Sequence, residues 1–229
     1  MRPLAWTAAV LVVLGAAPSV AATRTISFEH TAAGVSAISL DTSVGDVEIV
    51  AADTDTISAE VELRPKTGIF GSSRRSEEEM EKVEVDGRLK GDTLELQLSP
   101  RSHDDYKANW SVRLPASLAV TLDAGVGDVR IQGVRGALKL DLGVGDIRVS
   151  DASTDVEIDN GVGDVSVDGH WAAFGEIDAS CGVGDATVRT PDGRLGGKGF
   201  IGHEASTKGP GSARLKVDNG VGDVTISLR

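Results

Sequence analysis

Cysteine is almost absent: the 229-residue chain holds one, Cys181. A single thiol excludes an intramolecular disulfide and any zinc cluster built on cysteines. Aromatic residues are only 3% of the chain, which excludes a large aromatic core. It also argues against carbohydrate or single-strand binding through stacked rings. Proline is scarce, at seven residues. Positive charge is in deficit, with Lys+Arg 23 against Asp+Glu 35 and a formal net charge of −12. Nucleic acid and anionic membrane surfaces attract basic patches, so neither is an expected partner. Glycine, by contrast, is abundant at 28 residues, well above the usual share of about 7%. With 40% hydrophobic residues beside it, the composition reads as short strands joined by tight turns.

The first residues read as an address. Met1-Arg2 gives a positive start, Leu4 to Ala17 is apolar, and Pro18-Ser-Val-Ala-Ala22 offers small residues to a peptidase. This is the pattern of a secretory signal peptide over residues 1–22. The run is too short to span hydrocarbon comfortably, which needs about 20 apolar residues. No cysteine follows it, so a lipoprotein anchor is not expected. Cleavage is expected after Ala22, with Ala21 the alternative, and loss of Arg2 takes the charge from −12 to −13. The remaining chain, 23–229, has no long apolar run, and with Val224 to Leu228 read as its last strand no C-terminal anchor is expected. A periplasmic or secreted protein, without a membrane span after cleavage, is expected.

One phrase recurs through the rest. It reads Asp41-Thr-Ser-Val-Gly45-Asp46-Val47, then Asp123-Ala-Gly-Val-Gly127-Asp128-Val129. It returns as Asp141-Leu-Gly-Val-Gly145-Asp146-Ile147 and Asp159-Asn-Gly-Val-Gly163-Asp164-Val165. A looser copy is Asp178-Ala-Ser-Cys-Gly-Val-Gly184-Asp185-Ala186, and the last is Asp218-Asn-Gly-Val-Gly222-Asp223-Val224. Successive Gly-Asp pairs lie 82, 18, 18, 21 and 38 residues apart. The flanking residues alternate, as Leu138 and Leu140 before the phrase and Ile147 and Val149 after it. Period-two alternation is a strand with one buried face. Parity shifts by one across the phrase, with Leu138, Leu140 and Val144 even and Ile147 and Val149 odd. The chain therefore turns a corner at Gly-Asp, and Val144 is expected to point inward. Glycine supplies the backbone freedom of the corner, and the aspartate can bond its own backbone two residues on.

Each unit of about 18 residues is thus strand, corner, strand and polar loop. One unit cannot bury its apolar face alone, but stacked units bury a continuous column. The expected fold is all-β, a single parallel β-solenoid with irregular N-terminal coils and a short helix. An antiparallel sandwich of hairpins is the alternative. Residues 48–115 break the period and read as wider coils or a cap. Within them, Thr56 to Leu63, Val83 to Val85 and Thr93 to Leu98 read as strands. Ser76 to Val83 opens with a capping-box match, and Ser99 to Asn109 is read as a polar loop. Gly193 to Gly211 is read as a Gly-rich loop protruding from one decorated unit.

These residues carry a resemblance. The unit Ile38 to Ile49, the segment Val112 to Pro115 ending in Val-x-Leu-Pro, and the serial Gly-Asp-Val/Ile units resemble the bacterial "putative adhesin" family. That family is a domain of unknown function with a β-solenoid fold. The resemblance covers most of the chain beyond the leader. It implies the architecture, and it implies no established enzyme, cofactor or ligand.

The candidate site residues lie at the corners: Gly45, Asp46, Gly127, Asp128, Gly145, Asp146, Gly163, Asp164, Gly184, Asp185, Gly222 and Asp223. Their reading is structural, with Asp as a corner hydrogen-bonder. A second aspartate column, Asp41, Asp123, Asp141, Asp159, Asp178 and Asp218, is expected nearby. The alternative is a calcium ladder on Asp128, Asp146 and Asp164, like the β-roll of secreted toxins. The phrase is Gly-x-Gly-Asp, however, and not the Gly-Gly-x-Gly-x-Asp of that repeat. Gly197-Lys-Gly-Phe-Ile-Gly202 matches a dinucleotide pattern but lacks the following helix that the chemistry needs. The four histidines, His30, His103, His170 and His203, are not spaced as metal ligands. Cys181 reads as a structural thiol, and no nearby histidine is expected for it. Trp110 and Trp171 are expected to cover an end of the column, and Arg74-Arg75 to flank the helix. The reading is a non-catalytic module with no cofactor, meeting an envelope protein or glycan. The alternatives are a calcium-binding module and a polysaccharide-acting β-helix enzyme.

Overall fold

The structure is a computed structural model that describes residues 23–65, 78–100, 106–197 and 202–229. The expected leader, Arg74-Arg75, His103 and the middle of the 197–202 glycine motif lie outside the described residues.

The strands are β1 (Arg24–Thr31), β2 (Ala37–Val44), β3 (Val47–Ala52), β4 (Thr56–Pro65), β5 (Glu84–Lys90), β6 (Thr93–Ser99) and β7 (Tyr106–Pro115). They continue as β8 (Ala119–Val126), β9 (Val129–Gln132), β10 (Leu138–Val144), β11 (Ile147–Ala152), β12 (Val156–Val162) and β13 (Val165–Gly169). The rest are β14 (Phe174–Val183), β15 (Ala186–Thr190), β16 (Gly193–Gly197), β17 (His203–Thr207), β18 (Ala213–Val221) and β19 (Val224–Leu228). A 3-10 turn at Trp171–Ala173 precedes β14. Among the described residues, 78–80 are helical and lie inside the span expected to be helix, with Met80 and Val83 buried.

Among the described residues, the strands form two mixed, mostly parallel sheets and no closed barrel. Sheet one has ten strands in the order β1-β4-β7-β3-β9-β11-β13-β19-β15-β16. Sheet two has nine, β17-β14-β18-β12-β10-β8-β2-β6-β5. The chain crosses from sheet two to sheet one at every Gly-Asp corner, so that β2–β3, β8–β9, β10–β11, β12–β13, β14–β15 and β18–β19 are rungs. Neighbouring rungs pair in parallel and in register. Leu140 lies opposite both Leu122 and Ile158, and Ile147 opposite both Val129 and Val165. Like residues therefore stack on like, and one hydrophobic cluster joins the inward faces of both sheets. Each buried aliphatic contributes about 1.5–3 kcal/mol, so whole columns, not single residues, offset the ordering entropy of so many short strands.

Several expectations are corrected. Along β10 the inward residues are Leu138, Leu140 and Leu142, after which Gly143 and Val144 are both exposed. Period two ends one step before the corner, because Gly143 and Val144 already bend off the sheet, so Val144 points to solvent. Residues 106–109, read as loop, begin β7 and pair antiparallel with β4. The 193–211 stretch, read as a protruding loop, contains β16 and β17. These fold back antiparallel on β15 and β14. The chain then returns, and β18–β19 insert between β12–β13 and β14–β15. Rung order in space is thus not rung order in sequence. Antiparallel strands close both ends of the stack: β1, β4 and β5 at one, β16 and β17 at the other.

Candidate functional site

The corners form one continuous edge of the stack. Gly127, Gly145, Gly163 and Gly222 have φ between +128° and +145°. A Cβ on Gly145 would stand 2.0 Å from the Gly127 carbonyl oxygen of the next rung. The first glycine of the phrase is equally confined, since a Cβ on Gly143 would meet the Gly125 oxygen at 2.6 Å. Two glycine columns thus let rung backbones approach at sheet spacing where side chains would hold them apart.

Asp46, Asp128, Asp146, Asp164 and Asp223 each offer a carboxylate oxygen to the backbone N–H of the next corner. Each donor–acceptor pair runs between rungs, because the carboxylate points along the stack toward the next corner. The Asp128 N–H donates to Asp46 Oδ1 at 3.2 Å and the Asp146 N–H to Asp128 Oδ1 at 3.2 Å. The ladder continues from Asp164 N–H to Asp146 at 2.9 Å and from Asp223 N–H to Asp164 at 2.8 Å. It ends with Asp185 N–H on Asp223 at 2.9 Å. At its other end Asn109 of β7 supplies the first acceptor, for the Asp46 N–H at 3.1 Å. Like charges about 4.8 Å apart repel by about 0.9 kcal/mol in water. A charge-assisted bond at each step offsets repulsion of that size. Lys107 pairs with Asp46 at 2.9 Å and Arg130 with Asp128 at 3.4 Å. Burial pushes the Asp46 carboxyl up, but the Lys107 ammonium and the Asp128 N–H outweigh it and hold its pKa below the ordinary value.

A second column, Asp41, Asp123, Asp141, Asp159 and Asp218, stands in register on the outer face of sheet two. Asp178 does not join it. Ser180 occupies that slot beside Asp218 and donates to it at 2.6 Å, while Asp178 lies opposite Lys216. The two extra residues in this looser copy, between Asp178 and Asp185, shift its register by two. Hydrogen bonds from Lys216 and Ser180 hold the Asp218 pKa low. Asp123, Asp141 and Asp159 form no ion pair among the described residues.

Between the two aspartate columns runs a ridge the sequence did not announce. Val126, Val144, Val162, Val221 and Val183 are in register and 44–48% exposed. They are five of the seven large hydrophobic residues exposed among the described residues. Their uniform recurrence beside Gly-Asp was the available signal, and reading the phrase as inward-facing concealed it.

The interior slot beneath the corner carries Thr42, Ala124, Leu142, Asn160, Asn219 and Cys181, all buried. Asn160 Nδ2 donates to Asn219 Oδ1 at 3.1 Å, and Asn219 Nδ2 donates to the Gly163 carbonyl at 2.9 Å. The Cys181 thiol donates to the Gly222 carbonyl at 2.8 Å, and burial pushes its pKa up. His203 of β17 does lie opposite Cys181, which the sequence reading did not expect. A raised thiol pKa is the opposite of what a nucleophile needs. His30 is half-buried on β1, and His170 precedes the 3-10 turn. No group of three or more His, Cys, Asp or Glu suited to a metal occurs among the described residues. Asp128, Asp146 and Asp164, the calcium alternative, each spend Oδ1 on a backbone N–H. Trp110 is fully buried in β7, with its indole N–H on Thr42 Oγ1 at 3.2 Å, and Trp171 packs against the core.

A family model described as the N-terminal domain of toast_rack, DUF2154, matches residues 17–168. The chain belongs to this family. A putative cell adhesion protein from Clostridium sporogenes is similar in structure, with TM-score 0.60 and 16% identity over 91% of this chain and 100% of that one. At that identity the likeness speaks for the fold. A putative adhesin from Bacteroides fragilis aligns over 89% of this chain and 97% of that one at 11% identity, with TM-score 0.23. One from Parabacteroides distasonis aligns over 90% and 97% at 12% identity, with TM-score 0.28. No curated protein matches the chain.

Proposed function

We propose that this chain is an exported, non-catalytic β-solenoid that serves as an interaction or scaffold module of the bacterial cell envelope. Residues 1–22 are its signal peptide and 23–229 its domain, periplasmic or secreted. The Gly-Asp corners are structural, and they hold the edge through which the module meets an envelope protein or glycan. The observation that carries this reading is the in-register corner edge, where five half-exposed valines line up and four of them stand between two aspartate columns. A column of identical side chains is a linear recognition surface, unlike the concave, convergent site of most enzymes. The fold likeness to the putative cell adhesion protein from Clostridium sporogenes supports the same reading. Fractionation of an expressing bacterium, with intact mass, tests export. The expected product starts at Thr23 outside the cytoplasm, and a cytoplasmic, uncleaved chain would overturn it. Immobilised protein is expected to retain an envelope component, and envelope extract that yields none would count against the module.

A further inference from the structure

We infer that the corner edge is a docking groove for a basic amphipathic α-helix of a partner protein. This rests on the interaction-module reading above and names the partner's chemistry.

Three observations converge. The first is the apolar ridge, Val126 to Val183, half-exposed and in unbroken register. The valines stand in register along the stack, yet nearly half of each surface stays in water, and burial of that surface is what an apolar partner face gains. The second is charge. Aspartates line both sides of the ridge at Val126, Val144, Val162 and Val221, and Asp123, Asp141 and Asp159 have no ion pair among the described residues. A second copy of this chain would set like charge against like, at a net −13 each once Arg2 is lost with the leader. The complement is a partner with an apolar stripe flanked by Lys or Arg.

The third is spacing. Rungs repeat about every 4.8 Å, and a helix presents one turn every 5.4 Å. The mismatch is about 0.6 Å per turn, so roughly four turns stay within half a rung of register. An extended strand offers same-face side chains only every ~6.7 Å and loses register after one or two rungs. The floor between Asp141 and Val144 is Gly143, and the equivalent position in neighbouring rungs is also glycine. With no side chain there, a helix can settle between the aspartate wall and the ridge. This is the helix-in-groove mode, read by anchors one turn apart.

The test uses the full exported chain and a synthetic sixteen-residue Leu/Lys amphipathic helix, followed by fluorescence anisotropy. A scrambled peptide of the same composition and charge is the control. The amphipathic peptide is expected to bind about tenfold or more tighter than the scramble. The double variant Val144→Thr, Val162→Thr keeps β-branching and fold, and should lose about tenfold with an unchanged melting temperature. The variant Asp141→Asn, Asp159→Asn should weaken binding chiefly at low salt. Equal binding of the scramble, or binding untouched by both variants, overturns the proposal. So does a wild-type dimer in sedimentation that the valine variant dissociates, since the edge is then a self-contact. If the peptide fails while immobilised chain still retains an envelope component, the partner class is wrong and the module reading stands.

Discussion

The middle of this molecule and its ends are held together by different means. In the rungs β8 to β13 and β18–β19, stability comes from repetition: aliphatic columns, paired glycines and a carboxylate ladder, each rung making the same bonds as the last. At the N-terminal end the chain uses antiparallel strands and its few large side chains. Phe28, Tyr106 and Trp110 are buried there, and Arg24 donates to the carbonyls of Met80 and Val83. Repetition needs a neighbour on each side, which an end lacks. The ends therefore reverse strand direction and spend unique residues, which also shields edges that would otherwise template aggregation.

The sharpest break in that contrast is at a middle glycine. Gly145→Ala places a methyl 2.0 Å from the Gly127 oxygen at φ +145°, so the rungs must part. Urea denaturation should show a loss above about 4 kcal/mol, or no folded protein. Gly34→Ala, in an end loop with φ +81° and nothing within 4 Å, should cost only about 1–2 kcal/mol. Next in size is the seam where the returning rung inserts. Asn219→Leu removes the Oδ1 acceptor of Asn160 and should cost about 1–3 kcal/mol. Adding Asn160→Leu should restore most of that loss, because Leu142 fills the same slot one rung away. If the double variant is worse than the single, the asparagines are not acting as a pair.

Smaller effects probe the ladder. Asp146→Ala removes the acceptor of the Asp164 N–H and should cost about 1–2 kcal/mol, while Asp146→Asn keeps an oxygen there and should be milder. Equal damage from both, with a melting point raised by millimolar calcium, would favour the metal alternative. At the N-terminal end of the ladder, the depressed Asp46 pKa adds stability above its unfolded value near 4. That contribution is lost as pH falls through the folded value. Melting temperatures between pH 5 and pH 3 should fall less in Asp46→Asn than in wild type. Smallest of all is Val144→Thr, on an exposed side chain, where a change within about 0.5 kcal/mol is expected. A large loss there would mean the valines pack as core.

Much of the middle was readable. Leu138, Leu140, Ile147 and Val149 alternate, and identical phrases promised like-on-like stacking. Even the insertion of the last rung left a trace, since only the units at Asp159 and Asp218 share Asp-Asn-Gly-Val-Gly-Asp-Val, and they are neighbours in space. The spacing of 38 was legible as a missing period, but not as a departure and return. The ends were harder, because Tyr106 to Asn109 carries no alternation strong enough to separate strand from loop.

By itself the sequence determined the rung: its strands, its corner and the face each strand buries, because alternation and glycine act within a few residues of themselves. The tertiary structure alone decided which rung lies beside which, that each carboxylate reaches across to the next corner, and that the valines face water. Those outcomes depend on the neighbour about 4.8 Å away across the sheet, and that neighbour is set by the path of the chain between rungs.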